Sequence, residues 1–412
     1  MEDKVVPMLQ YLKFALFFLF ILSYGQNLDV LRKKSYEAYE LGNYNAFKDL
    51  NLRMLKIHPS HPGVLFNTAI SYGKLNQSDS LNYYLKKLIS WDADLDFEPI
   101  MTLQFDKKDE LIEDLKKYAL AFKAKVSKSK AFLEFDGKHH FEDIMVDLDT
   151  IYFTDIHQKS IIRTWANNQA PDTLIKFDIP PMAMAMGNNR NIWVSLTNPF
   201  FNNTRYPQSY LVQIDIDSAK ELHRVELPNS TLIGSMVCVD HTIFATDSSK
   251  PQIFVFDAKN GKIKTILKIE DAFNLQGIAY NPNNELLYIA DYIKGLLTVE
   301  VESLKPLGWI ISSDYLLKGL DGIAHVSGDN FIAVQNNASP LRVIKLTIKE
   351  KLATEIKVLE NSFEPGGEPT NLAISEDKIL FIANNPWPLY DEEKNPELES
   401  WPNPLLKYVP LD

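Results

Sequence analysis

The chain has 412 residues, of which 45% are hydrophobic and 24% charged, so it is long enough for two globular domains. Its formal net charge of −11, without a basic stripe, argues against a nucleic-acid partner. Cys238 is the single cysteine, which excludes an internal disulfide and cysteine-ligated zinc.

The first 25 residues have the pattern of a signal peptide. An apolar run over 14–22 follows Lys13, and Ser23 and Gly25 are small residues at the positions that a signal peptidase reads. The run is shorter than the roughly 20 residues needed to span a bilayer. We expect cleavage near Gly25 or Gln26, no stable membrane anchor afterwards, and a secreted or periplasmic protein; a retained anchor is the alternative.

Residues 26–125 have helical apolar spacing. A turn with Gly42 and Tyr44 separates two helices, and Pro59 ends the second one, a pattern that resembles the tetratricopeptide repeat (TPR). A second helical pair follows from Pro62, and a third apolar helix over 109–124 caps the stack. TPR-like hairpins either bind a protein or peptide partner and act as a scaffold, or simply pack.

Residues 126–412 change to short apolar strands separated by turn residues. One strand type ends in a polar or equivalent residue and recurs about every 40 to 50 residues, the length of a four-stranded propeller blade. It occurs six times, at 151–155, 192–196, 243–247, 287–291, 331–335 and 380–384. The strand at 130–136 is expected to complete the sixth blade and close the ring. The predicted fold is α + all-β with two domains, TPR-like helical hairpins and a six-bladed β-propeller.

A ligand site is expected at the central channel, where the innermost strands begin. The residues at these six starts are Glu142, Met182 to Met184, Gly234, Gln276, Asp321 and Asn371. Four of these starts, Glu142, Gln276, Asp321 and Asn371, offer side-chain oxygen atoms. Two carboxylates and two amide oxygens that converge on one axis would suit a hard cation, so the pattern predicts a Ca²⁺ site.

The runs over 275–291 and 320–324 resemble the gluconolactonase/regucalcin (SMP-30) family of six-bladed propellers, and strictosidine-synthase-like and NHL-type propellers share much of this pattern. The resemblance implies that Asp321 is both a metal ligand and the catalytic base, and that Glu142 is a further ligand. Gln276 departs from the family pattern, which has asparagine there, and Gly234 stands where another ligand is expected. The resemblance covers the propeller only.

Two functions of different class follow. The first is an exported propeller that binds a small molecule or a protein partner, with the helical repeats as scaffold. The second is a calcium-dependent hydrolase that opens a lactone or ester at the channel, with Asp321 as base. We favour binding, because the metal-ligand set is incomplete and a fold does not imply a function; whether the protein is an enzyme stays open.

Other conspicuous residues are given structural roles. Asp155, Asp247 and Asp291 are expected to cap strand ends by accepting hydrogen bonds from backbone amides. His139 and His140 are adjacent, so in a strand they point to opposite faces and do not form a joint metal site.

Overall fold

The computed structural model describes residues 28–165, 170–187, 190–199, 208–364, 367–391 and 395–411. The signal-peptide prediction, residues 1–25, lies outside the described residues. The chain divides into two compact units, residues 1–122 and residues 123–412. No helix in the described ranges has the length and apolar character needed to cross a membrane.

The described part of the first unit is helical. Its helices are α1 (28–40), α2 (Tyr44–Ile57), α3 (Pro62–Lys74), α4 (Ser78–Ile89), α5 (Glu98–Met101) and α6 (Lys108–Lys123). The turn between α1 and α2 contains Gly42 at φ +68°, a backbone conformation that glycine adopts without strain. The turn between α3 and α4 uses Asn76 at φ +57° instead, because asparagine tolerates the left-handed region better than most residues.

The second unit consists, in its described part, of six four-stranded antiparallel sheets, as predicted. Five sheets are consecutive along the chain: β2 (Phe141–Asp147) to β5 (Asp172–Lys176), β6 (Pro181–Met186) to β9 (Lys220–Glu226), β10 (Ile233–Val239) to β13 (Ile263–Lys268), β14 (Leu275–Asn281) to β17 (Pro306–Trp309), and β18 (Leu320–Ser327) to β21 (Leu352–Glu360). The intervening strands are β3 (Thr150–Asp155), β4 (Ser160–Trp165), β7 (Asn191–Thr197), β8 (Ser209–Asp215), β11 (Thr242–Asp247), β12 (Gln252–Asp257), β15 (Leu286–Asp291), β16 (Gly295–Glu300), β19 (Asn330–Gln335) and β20 (Arg342–Lys349).

The sixth sheet joins the two ends of the propeller unit. It contains β22 (Leu372–Ser375), β23 (Lys378–Ile382), β24 (Leu405–Pro410) and β1 (Lys130–Glu134), in the order β1-β24-β23-β22. The antiparallel pairing of β1 with β24 confirms the predicted closure of the ring. The hydrogen-bonding edge of β24 is covered by β1, a strand from the start of the unit, so the two ends of the propeller share one sheet.

The first strand of each sheet lies innermost. β2, β6, β10, β14, β18 and β22 contact one another in this order, and β22 contacts β2. Apolar residues fill the spaces between neighbouring blades; in one such cluster Trp193 and Phe254 are completely buried. Burial of these large side chains away from water is the main favourable contribution to the fold.

Aspartates at the ends of second strands fix the approach to the inner strands. Asp291 accepts hydrogen bonds from the backbone amides of Phe273, Ile293 and Lys294 at 2.6, 2.9 and 2.9 Å. Asp155 and Asp247 accept backbone amides in the same way. This confirms the capping roles predicted for the three aspartates.

Candidate functional site

Five of the six inner strands contribute their second residue to one cavity. These residues are Glu142, Met182, Gly234, Gln276 and Asp321, and they line a cavity of about 280 Å³ at the propeller axis. Their strands each contain an irregularity of register that begins at the first residue of the strand. A β-bulge at this point turns the second side chain out of the ladder, and bulges commonly border functional sites.

The rest of the cavity wall comes from loops. Ser248, Tyr292 and Asn336 each follow directly after a second strand, at equivalent positions of three consecutive blades. The remaining lining residues are Pro199, Leu232, Ile233, Glu368 and Trp387. We name this the axial cavity.

The sixth blade places Asn371 differently from its predicted position. Asn371 precedes β22, a short strand with regular register, and does not line the axial cavity. Its Nδ2 donates to Asp143 Oδ1 at 2.5 Å, and its Oδ1 accepts the Leu372 amide at 2.8 Å. Glu368, three residues earlier in the chain, takes the place at the cavity that the sequence assigned to Asn371.

Glu142, Asp321 and Glu368 therefore bring three carboxyl groups to the axial cavity. Burial and then the charge of Glu142 raise the pKa of Asp321 well above its usual range, and the same two causes raise the pKa of Glu368 to about 7. Among the described residues, neither Asp321 nor Glu368 has an ion-pair partner, and no lysine or arginine lines the cavity. In the described part of the chain no lysine or arginine stands beside these three acids, and the raised pKa values favour the protonated form of Asp321 and Glu368.

Glu142 is held by the segment that follows β23. Its Oε2 accepts the Trp387 indole N–H at 2.7 Å and Asn385 Nδ2 at 3.2 Å, and it lies 3.7 Å from His140 Nε2. His140 is fully buried, and its Nδ1 lies 2.7 Å from the Tyr390 hydroxyl. These contacts fix one carboxylate at the cavity wall while its other oxygen makes no hydrogen bond among the described residues.

Asp321 and Asn336 form the opposite polar pair. Asn336 Nδ2 donates to Asp321 Oδ2 at 2.8 Å and to the carbonyl of Pro369 at 3.0 Å. Asn336 is 7% exposed, and its Oδ1 has no hydrogen-bond partner in the described part of the chain. A buried acceptor without a donor costs free energy.

The four side chains predicted for Ca²⁺ do not all face one point. Glu142, Gln276 and Asp321 line the axial cavity, whereas Asn371 is bound to Asp143. Gln276 Oε1 accepts the Ser248 hydroxyl at 3.1 Å. Within the described ranges, no three histidine, cysteine, aspartate or glutamate side chains are close enough to share a metal ion. Asn371 therefore lies apart from the other three residues of the predicted calcium set.

A second cavity, of about 300 Å³, lies further along the inner strands. Its wall includes Asp143, Asn371 and Cys238 together with four methionines, Met145, Met184, Met186 and Met236. Burial and then the nearby Asp240 raise the pKa of the Cys238 thiol. This favours the neutral thiol over the nucleophilic thiolate, in agreement with the packing role of an apolar strand.

The two adjacent histidines have separate partners. His139 Nδ1 lies 2.5 Å from Asp155 Oδ2, whereas His140 contacts Tyr390 and Glu142. Both histidines lie just before β2 rather than within a strand.

Five further residues of the cavity wall were not predicted from the sequence: Ser248, Tyr292, Asn336, Glu368 and Trp387. A signal was present for three of them, because Ser248, Tyr292 and Asn336 come one residue after the polar strand ends 247, 291 and 335. No periodic signal marks Glu368 or Trp387, because both lie in irregular segments of the sixth blade.

No protein-family model matches the chain, and no curated protein sequence matches it. Among solved structures, the chain is similar to a glucose dehydrogenase (9% identity, 68% of this chain and 99% of that chain, TM-score 0.49). It is also similar to the PQQ-bound aldose sugar dehydrogenase of Streptomyces coelicolor (11% identity, 69% and 99%, TM-score 0.47) and to the nidogen/laminin complex (16% identity, 52% and 79%, TM-score 0.41). Similarity at this level concerns the β-propeller fold alone and carries no argument about function.

Proposed function

We propose that this protein binds a small polar molecule in the axial cavity. One observation carries the proposal. The second residues of five inner strands and Glu368 meet at one cavity, whose wall holds three acidic groups and, among the described residues, no lysine or arginine. Such groups raise the free energy of the empty protein, and a ligand that compensates them binds favourably.

The test compares a variant that fills the cavity with a matched surface variant. Leu232 lines the axial cavity, and Leu232→Trp places a larger side chain there. Leu222 lies on β9 and is 46% exposed, so Leu222→Trp makes the same change at the surface. Ligand-observed NMR is recorded with separate mixtures of cationic, neutral and anionic small molecules.

We expect one mixture to contain a ligand for the unchanged protein and for Leu222→Trp, and this binding to be lost in Leu232→Trp. Thermal melts of both variants check that they remain folded. Absence of binding to all three mixtures, or binding that Leu232→Trp leaves unchanged, contradicts the proposal.

Hydrolysis at the same cavity is a second candidate, favoured by the position of Asp321. Its carboxyl lies at the cavity wall beside Asn336, which donates to it. Because its raised pKa keeps the proton on at low pH, Asp321 would act as a base only as the pH rises. Lactone hydrolysis that increases with pH and disappears in Asp321→Asn would support this candidate. Turnover that Asp321→Asn leaves unchanged would remove it.

Export and a scaffold role complete the proposal. Export depends on the apolar leader, and mass spectrometry of the protein purified from its host tests it. A mature chain that begins near Gln26 supports cleavage, and an intact leader contradicts it.

The scaffold role rests on a cavity of about 480 Å³ in the helical unit, whose wall includes Arg53, Lys56 and Tyr84. Weaker pull-down of a partner from host extract by a double Arg53→Ala and Lys56→Ala variant would support it, and undiminished pull-down would contradict it.

A further inference from the structure

We infer that the ligand of the axial cavity is an aliphatic compound with at least two ammonium groups. This inference rests on the proposed function and adds the chemical class of the ligand. Three features of the cavity carry it: the hydrogen-bonding character of the wall, the number of its acidic groups, and their spacing.

Among the described residues, the wall contains three carboxyl groups and no lysine or arginine. Four of its side-chain donors already donate within the protein. Trp387 donates to Glu142, Asn336 to Asp321, and Gln276 Nε2 to Asn274 at 2.6 Å. The Ser248 hydroxyl donates to the carbonyl of Leu275 at 3.0 Å. Since these four donors are engaged, a ligand that brings its own donors is complementary to this part of the wall, and an ammonium group brings three.

Three carboxyl groups favour more than one positive charge. Glu142, Asp321 and Glu368 face the same cavity, and one monovalent cation would leave most of their charge unbalanced when all are ionised. Burial, and after it the charge of Glu142, raises the pKa of Asp321 and Glu368, so their ionisation in the empty cavity costs free energy. A second ammonium group on the same ligand would lower that cost.

The spacing of the acids favours an extended ligand over one metal ion. No three acidic, histidine or cysteine side chains of the described residues are close enough to hold a single ion, yet these three acids share a cavity of about 280 Å³. A flexible chain of several carbon atoms can fit in that volume and place a charge near each of two carboxylates. Its methylene groups would contact the apolar part of the wall, which includes Met182, Leu232 and Ile233.

The experiment measures binding of 1,4-diaminobutane to the full chain by isothermal titration calorimetry. The matched compounds are n-butylamine, with one ammonium group, and 1,4-butanediol, with none. CaCl₂ is titrated separately. We expect 1,4-diaminobutane to bind about tenfold or more tightly than n-butylamine, and no binding of 1,4-butanediol, since each desolvated ion pair adds to the affinity.

Two variants assign the binding to the cavity. Glu368→Gln keeps the side-chain shape and removes one cavity charge. Glu355→Gln changes an exposed residue of β21 by the same charge. We expect about a tenfold loss of affinity for 1,4-diaminobutane in Glu368→Gln and less than about a twofold change in Glu355→Gln. Thermal melts without ligand check that both variants are folded.

The outcomes separate this inference from the proposed function. Binding of a neutral or anionic mixture that Leu232→Trp abolishes, without binding of 1,4-diaminobutane, overturns the ammonium inference and leaves the proposed function standing. Tight binding of CaCl₂ alone, or equal affinity for 1,4-diaminobutane and n-butylamine, also overturns the inference. Failure of all mixtures to bind overturns both.

Discussion

The indole N–H of Trp387 donates a 2.7 Å hydrogen bond to Glu142 Oε2, which joins the segment after β23 to the second residue of the first inner strand. Asn385, in the same segment, donates to Glu142 Oε2 and to the carbonyl of Phe141 at 2.6 Å. The last blade thus positions an acidic side chain that belongs to the first one. This contact makes the geometry of the axial cavity depend on ring closure.

Removal of this hydrogen bond should destabilise the propeller slightly. We expect Trp387→Phe to lower the free energy of unfolding by about 1 to 2 kcal/mol, because Glu142 loses a charge-assisted hydrogen bond while the aromatic surface is largely kept. Urea unfolding measures the change. Trp165→Phe is the control, since its indole makes no hydrogen bond among the described residues; an equal loss in both variants would show that the hydrogen bond contributes nothing.

Stability should fall as the pH rises toward neutrality. The pKa of Glu368 is about 7 in the folded protein, above its usual value of 4.5, so the folded state holds this proton more tightly than the unfolded state. Below pH 4.5, the pKa of Glu368 in the unfolded protein, the carboxyl is neutral in both the folded and the unfolded state, and this group does not reduce stability. The free energy of unfolding decreases between this pH and about pH 7, the pKa in the folded protein, and the decrease is complete above it.

Glu368→Gln removes the group that titrates. We expect the variant to be more stable than the unchanged protein at pH 8, by on the order of 1 kcal/mol, because the side chain is only half-buried and solvent screens its charge. At pH 4 the two proteins should have similar stability. The measurement is urea unfolding across this pH range, and an identical pH dependence of both proteins would exclude Glu368 as the titrating group.

The aspartate caps should be important for stability. Asp291 is fully buried and accepts three backbone amides, so Asp291→Ala leaves these donors without a partner. We expect a loss of about 3 kcal/mol or more in the free energy of unfolding. Asp377→Ala, at an exposed turn, is the control and should change stability by less than about 0.5 kcal/mol. Similar small losses in both variants would contradict the capping role.

Gly277 permits the close approach of two inner strands at the axial cavity. A Cβ atom there would lie 2.2 Å from the carbonyl oxygen of Asp321, which is backbone and cannot rotate away. We expect Gly277→Ala to cost about 1 to 3 kcal/mol. Gly63→Ala, in the first turn of α3, meets only the His61 side chain at 3.5 Å and should be neutral or stabilising. Thermal unfolding compares the two, and a tolerated Gly277→Ala would contradict the packing argument.

The sequence by itself determined the fold class and five of the thirteen described residues that line the axial cavity. Strand patterns that recur at a blade's length specify repeating sheets, because alternating apolar residues must be buried between neighbouring blades. The same repeat placed Glu142, Met182, Gly234, Gln276 and Asp321 at equivalent strand starts, and these are the five second residues that line the axial cavity. Their β-bulges follow the same period.

Only the tertiary structure decided how the sixth blade contributes. β22 is short and has regular register, so the repeat does not predict which residue of this blade reaches the cavity. Glu368 and Trp387 lie in irregular segments that reach the cavity, where Glu368 pairs with Asn385 in an isolated bridge and Trp387 donates to Glu142. Contacts between residues more than 200 positions apart leave no local pattern, because they depend on the closure of the ring rather than on the periodicity of its strands.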